Sequence, residues 1–198
     1  MRVLITGIGN VGKSHFRRYL YQQLKIKLAQ TDRQVKHYDV DRFAHLRHKD
    51  DEDLLIDFTF QSLERETIVL IEDVHGATGN GLLPLNDYDH VFYIQADPLT
   101  HVQFWLGRAQ IWFKEGRYDW DNDRGRFYGT HRKNDLRNVP GIARCVFRQL
   151  WQRKEIEHDL VRLSRAHARL HLIQAKATKN GPVFSPIPPN FLDECLYG

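Results

Sequence analysis

Lys13 and Ser14 close the run Gly7-Ile8-Gly9-Asn10-Val11-Gly12-Lys13-Ser14, and these residue types at this spacing could hold phosphate. The run fits Gly-x-x-x-x-Gly-Lys-Ser. Glycines let consecutive backbone N–H groups curl around phosphate oxygens, and a helix behind the loop adds the positive end of its dipole. In that chemistry Gly7, Gly9, Asn10, Val11 and Gly12 form the cradle. Lys13 reaches the β- and γ-phosphates, and the Ser14 hydroxyl becomes a ligand of Mg²⁺. The same residues also read Gly7-x-Gly9-x-x-Gly12, a dinucleotide-binding fingerprint. That motif has no use for Lys-Ser after its third glycine, and it wants an acidic residue roughly 20 residues on. Asp39 lies 27 residues past Gly12, so the balance falls to the phosphate loop.

Phosphoryl transfer needs a metal, an oriented acceptor hydroxyl and neutralised charge on the moving group. Asp39-Val40-Asp41 offers the acceptor side. Asp41 is the expected base, and Asp39 the expected hydroxyl or metal contact; the competing role for Asp41 is to cap the following helix. Glu72-Asp73 follows an apolar run, as metal-holding carboxylates do, so Ser14, Glu72 and Asp73 form the expected metal set. Among the arginines, Arg108 is the strongest candidate to neutralise the transferring group; Arg117, Arg124, Arg126, Arg132 and Lys133 follow in a polar stretch. Tyr118, Trp120 and Tyr128 lie in that stretch, where an exposed ring could stack on a base. His75 is the one histidine placed near this chemistry. No HExxH run occurs, and His167 and His171 are not expected to share a metal.

The elements that must position these groups can be read from periodicity. Met1–Thr6 reads as a short buried strand, and Lys13–Gln30 as a helix with Phe16, Leu20, Leu24 and Leu28 on its inner face. Val35–Val40 and Thr67–Ile71 read as strands, with one or two helices between them over Arg42–Glu66. His90–Ile94 is another strand. Thr100–Glu115 reads as a helix, with Thr100 a candidate cap and Val102, Trp105, Leu106, Ala109, Trp112 and Phe113 on one face. Arg117–Asn138 shows no clean period and suits a lid. Val139–Ala168 returns to helix, Arg169–Gln174 to strand, Lys176–Pro189 to a Gly/Pro loop, and Asn190–Leu196 to a short helix. Strands alternating with helices predict a parallel sheet covered on both faces. Topology then brings Asp39, Asp41, Glu72 and Asp73 toward Lys13 and Ser14.

The chain has 198 residues, a size that suits one domain with an inserted lid around 117–138. Its mean hydropathy is −0.55, and no apolar run approaches the ~18 residues of a membrane span. Two cysteines without CxxC spacing argue against a disulfide framework or a zinc site, and suit a reducing cytoplasm. Net charge is +4, with an uneven basic excess: fifteen Lys/Arg against eight Asp/Glu between His101 and Leu170. Such a surface could meet phosphates on a small nucleotide or along a polynucleotide.

Taken together, Gly7–Ser14, Tyr38-Asp39-Val40-Asp41-Arg42-Phe43, Ile68–Gly76 and Asp89–Ile94 followed by the Arg108 helix resemble the P-loop kinase superfamily. The nearest forms are the uridine kinase-like and the gluconate or adenylylsulfate kinase-like enzymes. The resemblance covers roughly residues 1–117. It implies an α/β P-loop NTPase three-layer sandwich with a five-stranded parallel sheet ordered 2-3-1-4-5, ATP with Mg²⁺, and phosphorylation of a hydroxyl. Two departures stand out. Arg108 is followed by Ala-Gln-Ile and lacks the family's paired arginine, and residues 117–170 match no acceptor-binding pattern.

The leading expectation is an ATP-dependent kinase of a small hydroxyl acceptor, a nucleoside or nucleotide. The alternatives are a kinase acting on a hydroxyl of DNA or RNA, for which the 101–170 region is the motive, and a P-loop ATPase or switch without kinase activity. An NAD(P)-binding oxidoreductase is the fourth. No membrane partner is expected.

Overall fold

The computed structural model describes residues 1–40, 67–73, 83–117, 119–121, 126–128 and 132–197. Asp41, His75, Tyr118, Arg124 and the expected helices of 42–66 lie outside the described residues.

The architecture is α/β. A six-stranded sheet holds β1 (Arg2–Gly7), β2 (Gln34–Asp39), β3 (Thr67–Glu72), β4 (His90–Ala96), β7 (Leu170–Thr178) and β8 (Gly181–Phe184), in the order β2-β3-β1-β4-β7-β8. Among the described residues four α-helices accompany it: α1 (Lys13–Lys27), α2 (Pro98–Glu115), α3 (Val139–Ala166) and α4 (Pro189–Tyr197). All pairings in the sheet are parallel except β7–β8. Sequence reading expected five parallel strands, so the antiparallel β8 is a correction.

The missed strand has a local cause. Gly and Pro in 176–189 suggested a loop, yet β7 runs on to Thr178 and turns back tightly. Gly181 takes φ +109°, and the Thr178 hydroxyl donates to the Gly181 carbonyl at 2.6 Å. Pro182 then sits on the sheet edge, where its missing N–H breaks no ladder.

The core follows strand alternation. Val3 and Ile5 of β1, Ile68 and Leu70 of β3, and Phe92 and Ile94 of β4 join one cluster with Phe16, Leu20 and Leu24 from α1, Leu28 at its C-cap, and Phe191 and Cys195 from α4. Leu4, Val69, Ile71 and Val91 point the other way, toward Val40 and Tyr88. The four-residue spacing in α1 thus forms the expected inner face, although the helix ends at Lys27 rather than Gln30. Phe16 is fully buried between Phe92 and Phe184, with ring centroids 5.4 and 5.2 Å away. Burying such a ring contributes about 2–3 kcal/mol.

Two details of α2 differ from expectation. Its cap is Asp97, whose carboxylate accepts the Thr100 N–H at 3.0 Å and the Thr100 hydroxyl at 2.6 Å. Pro98 follows in the first turn, where its lost N–H matters little. Trp105 is buried, but Val102 and Leu106 of the same expected face are exposed. The polar stretch 117–138 is not wholly irregular: β5 (Asp119–Asp121) and β6 (Arg126–Tyr128) pair antiparallel as a separate ribbon.

At the amino-terminal end of β4 sits a polar cluster far from the glycine loop in sequence. His90, which is buried, lies 3.1 Å from Glu194 through Nε2 and 3.0 Å from His171 Nε2 through Nδ1. Glu194 also accepts from Arg169 at 2.9 Å. A carboxylate acceptor selects the Nε2–H tautomer of His90, so His90 Nδ1 accepts from His171 Nε2–H. Burial first, and the neighbouring His90 second, push the His171 imidazole down to about 4.

Candidate functional site

The Gly7–Ser14 loop joins the end of β1 to the start of α1, and each special position has a steric reason. Gly7 takes φ +143°, and a Cβ there would meet the Ile94 carbonyl oxygen at 2.3 Å. The loop can therefore leave the sheet only by passing hard against β4. Asn10 and Gly12 also take positive φ, at 55° and 97°. Gly12 is the N-cap of α1 and provides no side-chain acceptor, so no side chain caps the first-turn N–H groups. Those groups form the positive end of the helix and suit an anion.

Lys13 is buried at the base of the loop. Its ammonium donates to the Gly7 and Ile8 carbonyls at 3.1 and 2.9 Å. The Ser14 hydroxyl donates to Glu72 Oε1 at 2.7 Å. That contact follows from register: Ile5 of β1 lies opposite Glu72 of β3, which lies opposite Asp39 of β2. β2 and β3 thus end at one level, while β1 runs two residues further to Gly7 and into the loop, so Asp39 and Glu72 end their strands beside it.

Arg17, one turn into α1, fixes this group. Its Nε lies 3.1 Å from Glu72 Oε2, and an Nη lies 3.5 Å from Asp39. Burial is the main influence on Glu72 and raises its pKa; Lys13, Ser14 and Arg17 oppose it. The nearby His37 imidazole is pushed down, by burial first and the Arg17 charge second.

A cleft of about 1440 Å³ opens over these residues. The loop, Arg17, Asp39 and Glu72 form one wall; Arg108 and Trp112 of α2 and Thr178–Pro182 of the β7–β8 turn reach it from other sides. The Arg108 guanidinium carbon stands 5.5 Å over the Trp112 ring. A link ties α2 to the loop: His101 Nε2 is 2.9 Å from the Gly9 carbonyl and 3.1 Å from Trp105 Nε1. The nitrogen serves one of these at a time, donating to Gly9 or accepting from the indole.

The structure therefore brings together Lys13, Ser14, Asp39, Glu72 and Arg108 around one cleft. It does not bring Asp73 there. Successive residues at a strand end face opposite ways, and Asp73 lies buried with its charge acting on Tyr88, whose phenol is pushed up chiefly by burial. Of the expected metal set Ser14, Glu72 and Asp73, the first two line the cleft. The ring positions of Trp120 and Tyr128 lie outside the described side chains. Arg17, His101 and the β7–β8 turn went unnoticed in the sequence. Arg17 had a signal: it follows Ser14 by three residues, which puts it on the same side of α1. His101 had none, because its contact with Gly9 depends on how α2 docks.

No family model matches the chain, and no curated protein matches it.

Proposed function

We propose that this chain is an ATP-dependent phosphotransferase that moves the γ-phosphate to a hydroxyl acceptor, a nucleoside or nucleotide. The reading treats the fold as a P-loop NTPase sandwich. The order of its five parallel strands, β2-β3-β1-β4-β7, supports that assignment. The observation that carries the reading is the 2.7 Å contact of Ser14 Oγ with Glu72 Oε1, beside Lys13 and opposite Asp39. This joins a phosphate loop to a carboxylate on the next strand, which a passive dinucleotide cradle does not need.

Each residue then has one task. Loop N–H groups and Lys13 hold the phosphates, with the Lys13 ammonium exchanging loop carbonyls for phosphate oxygens. Ser14 and Glu72 are hard oxygen donors and fit Mg²⁺, which in phosphate sites takes few protein ligands and completes its shell with phosphate and water. When bound, the ion neutralises charge on the β- and γ-phosphates. Asp39, anchored by Arg17, orients the acceptor hydroxyl; it or Asp41 accepts the proton. Arg108 stabilises charge on the transferring group from across the cleft.

Equilibrium binding tests the donor half. ATP with Mg²⁺ should bind in preference to NAD(P), and Lys13→Ala should weaken it roughly tenfold or more, as loss of a charge-assisted contact does. Preference for NAD(P), or an unchanged Lys13→Ala affinity, contradicts the reading.

A further inference from the structure

The long helix α3 has one face that the phosphotransferase reading does not use. Phe147 and Trp151 are 71% and 84% exposed, among the largest exposures of apolar residues among the described residues. Arg144 and Arg148 are exposed as well. Positions 144, 147, 148 and 151 recur at helical spacing and share one side of the helix. The opposite side is already committed, because Ile142 and Cys145 are buried. A helix rises 1.5 Å per residue, so the two rings stand roughly 6 Å apart along the axis, each beside a guanidinium.

At the head of α3 the same character continues. Arg132 and Lys133 are exposed on a turn held by its own bonds: Asn134 N–H donates to the Phe113 carbonyl at 3.0 Å, and the buried Asn138 amide donates to the Arg132 carbonyl at 3.1 Å. The cations therefore sit on ordered backbone. Arg144 has no carboxylate partner among the described residues, and the surrounding segment carries fifteen Lys/Arg against eight Asp/Glu.

We infer that this face of α3 binds single-stranded nucleic acid, with Arg144 and Arg148 meeting phosphates and Phe147 and Trp151 stacking on bases. The local excess of positive charge selects a polyanion. Stacking on a side-chain ring needs an unstacked base, which a single strand offers and a duplex withholds. A helix lying on a membrane keeps its rings on a broad apolar face with its cations at the border. Here the apolar side faces inward, and rings and guanidiniums alternate on the outer side. The inference is independent of the ATP site and does not require transfer to the strand.

Fluorescence anisotropy with a labelled oligothymidine, read on the whole chain at several salt concentrations, tests it. Binding should be present at low salt and weaken as salt rises. Trp151→Ala should weaken it roughly 5- to 100-fold, the range for loss of one stacked base, while Trp151→Phe should retain most of it. Arg144→Ala should reduce the slope of log affinity against log salt by about 0.7, one phosphate contact. These side chains are exposed, so the thermal midpoint of each variant should match the parent. Lys13→Ala should bind the strand as the parent does, which separates this result from the fate of the phosphotransferase reading. Four results overturn the inference: no binding at low salt, equal binding of duplex, indifference to Trp151→Ala, or binding of phosphatidylserine vesicles in place of the oligonucleotide.

Discussion

Arg17 Nε lies 3.1 Å from Glu72 Oε2, with both side chains more than nine-tenths buried. The contact is a charge pair rather than an aligned hydrogen bond, since neither of these two atoms has a hydrogen-bond partner. Asp39 approaches the same guanidinium at 3.5 Å, so one arginine holds the carboxylates at the ends of β2 and β3.

Removing that arginine should be costly. Arg17→Met leaves Glu72 buried without its ion pair and should destabilise the protein by about 3 kcal/mol in urea unfolding. The sign with pH is fixed by Glu72, whose pKa is already raised. Stability from a group with a raised folded pKa is present below its unfolded value and lost as pH rises through the folded one. Without Arg17 that pKa moves further up, so the Arg17→Met deficit should be larger at pH 8 than at pH 5. Adding Glu72→Gln should recover much of the loss. A deficit that is flat with pH, or additive with Glu72→Gln, argues against coupling.

Gly7 and Gly12 should respond differently to alanine. At Gly7 the new Cβ meets the backbone oxygen of Ile94 at 2.3 Å, and φ is +143°. At Gly12 the nearest atoms are in the Phe184 ring at 3.5 Å, an ordinary contact, so only the backbone is strained. Gly12→Ala should cost about 1–3 kcal/mol from its conformation alone, and Gly7→Ala more. Thermal or urea unfolding of the two variants checks the order.

The histidine cluster should make the fold acid-sensitive. The His171 imidazole is depressed to about 4 in the folded chain, from its ordinary value of 6.5. A depressed folded pKa contributes stability that is present above the unfolded value and lost as pH falls through the folded one. The window therefore runs from about 6.5 down to about 4. The residue is partly exposed, and allowing for solvent screening leaves an effect on the order of 1 kcal/mol, or ~2–4 °C. His171→Gln should flatten the fall of the thermal midpoint between pH 7 and pH 5 relative to the parent. An equal fall in both proteins removes His171 as the cause.

The legible parts of this molecule were those governed by local pattern. Apolar runs marked β1, β3 and β4, and four-residue spacing marked α1. The Gly-Lys-Ser run located the cleft, and strand ends located Asp39 and Glu72. What stayed hidden was decided by tertiary contact or by turn chemistry. Asp73 reads like a twin of Glu72, yet a one-residue step sends it to the other side of the sheet. Gly181 and Pro182 read as loop, although one closes a hairpin and the other tolerates an edge. Val102 and Leu106 fit an inner helical stripe but face out, because α2 presents Trp105 inward instead.

The most direct measurement of the central claim is transfer of labelled γ-phosphate from ATP with Mg²⁺ to a panel of nucleosides, nucleotides, sugars and oligonucleotides. A nucleoside or nucleotide should acquire the label with the parent chain. Lys13→Ala and Asp39→Asn should each cut the rate by roughly 100-fold or more, the scale of losing a positioned acid–base or charge-stabilising group. ATP consumed with no labelled acceptor anywhere in the panel, or turnover retained in both variants, would contradict the account.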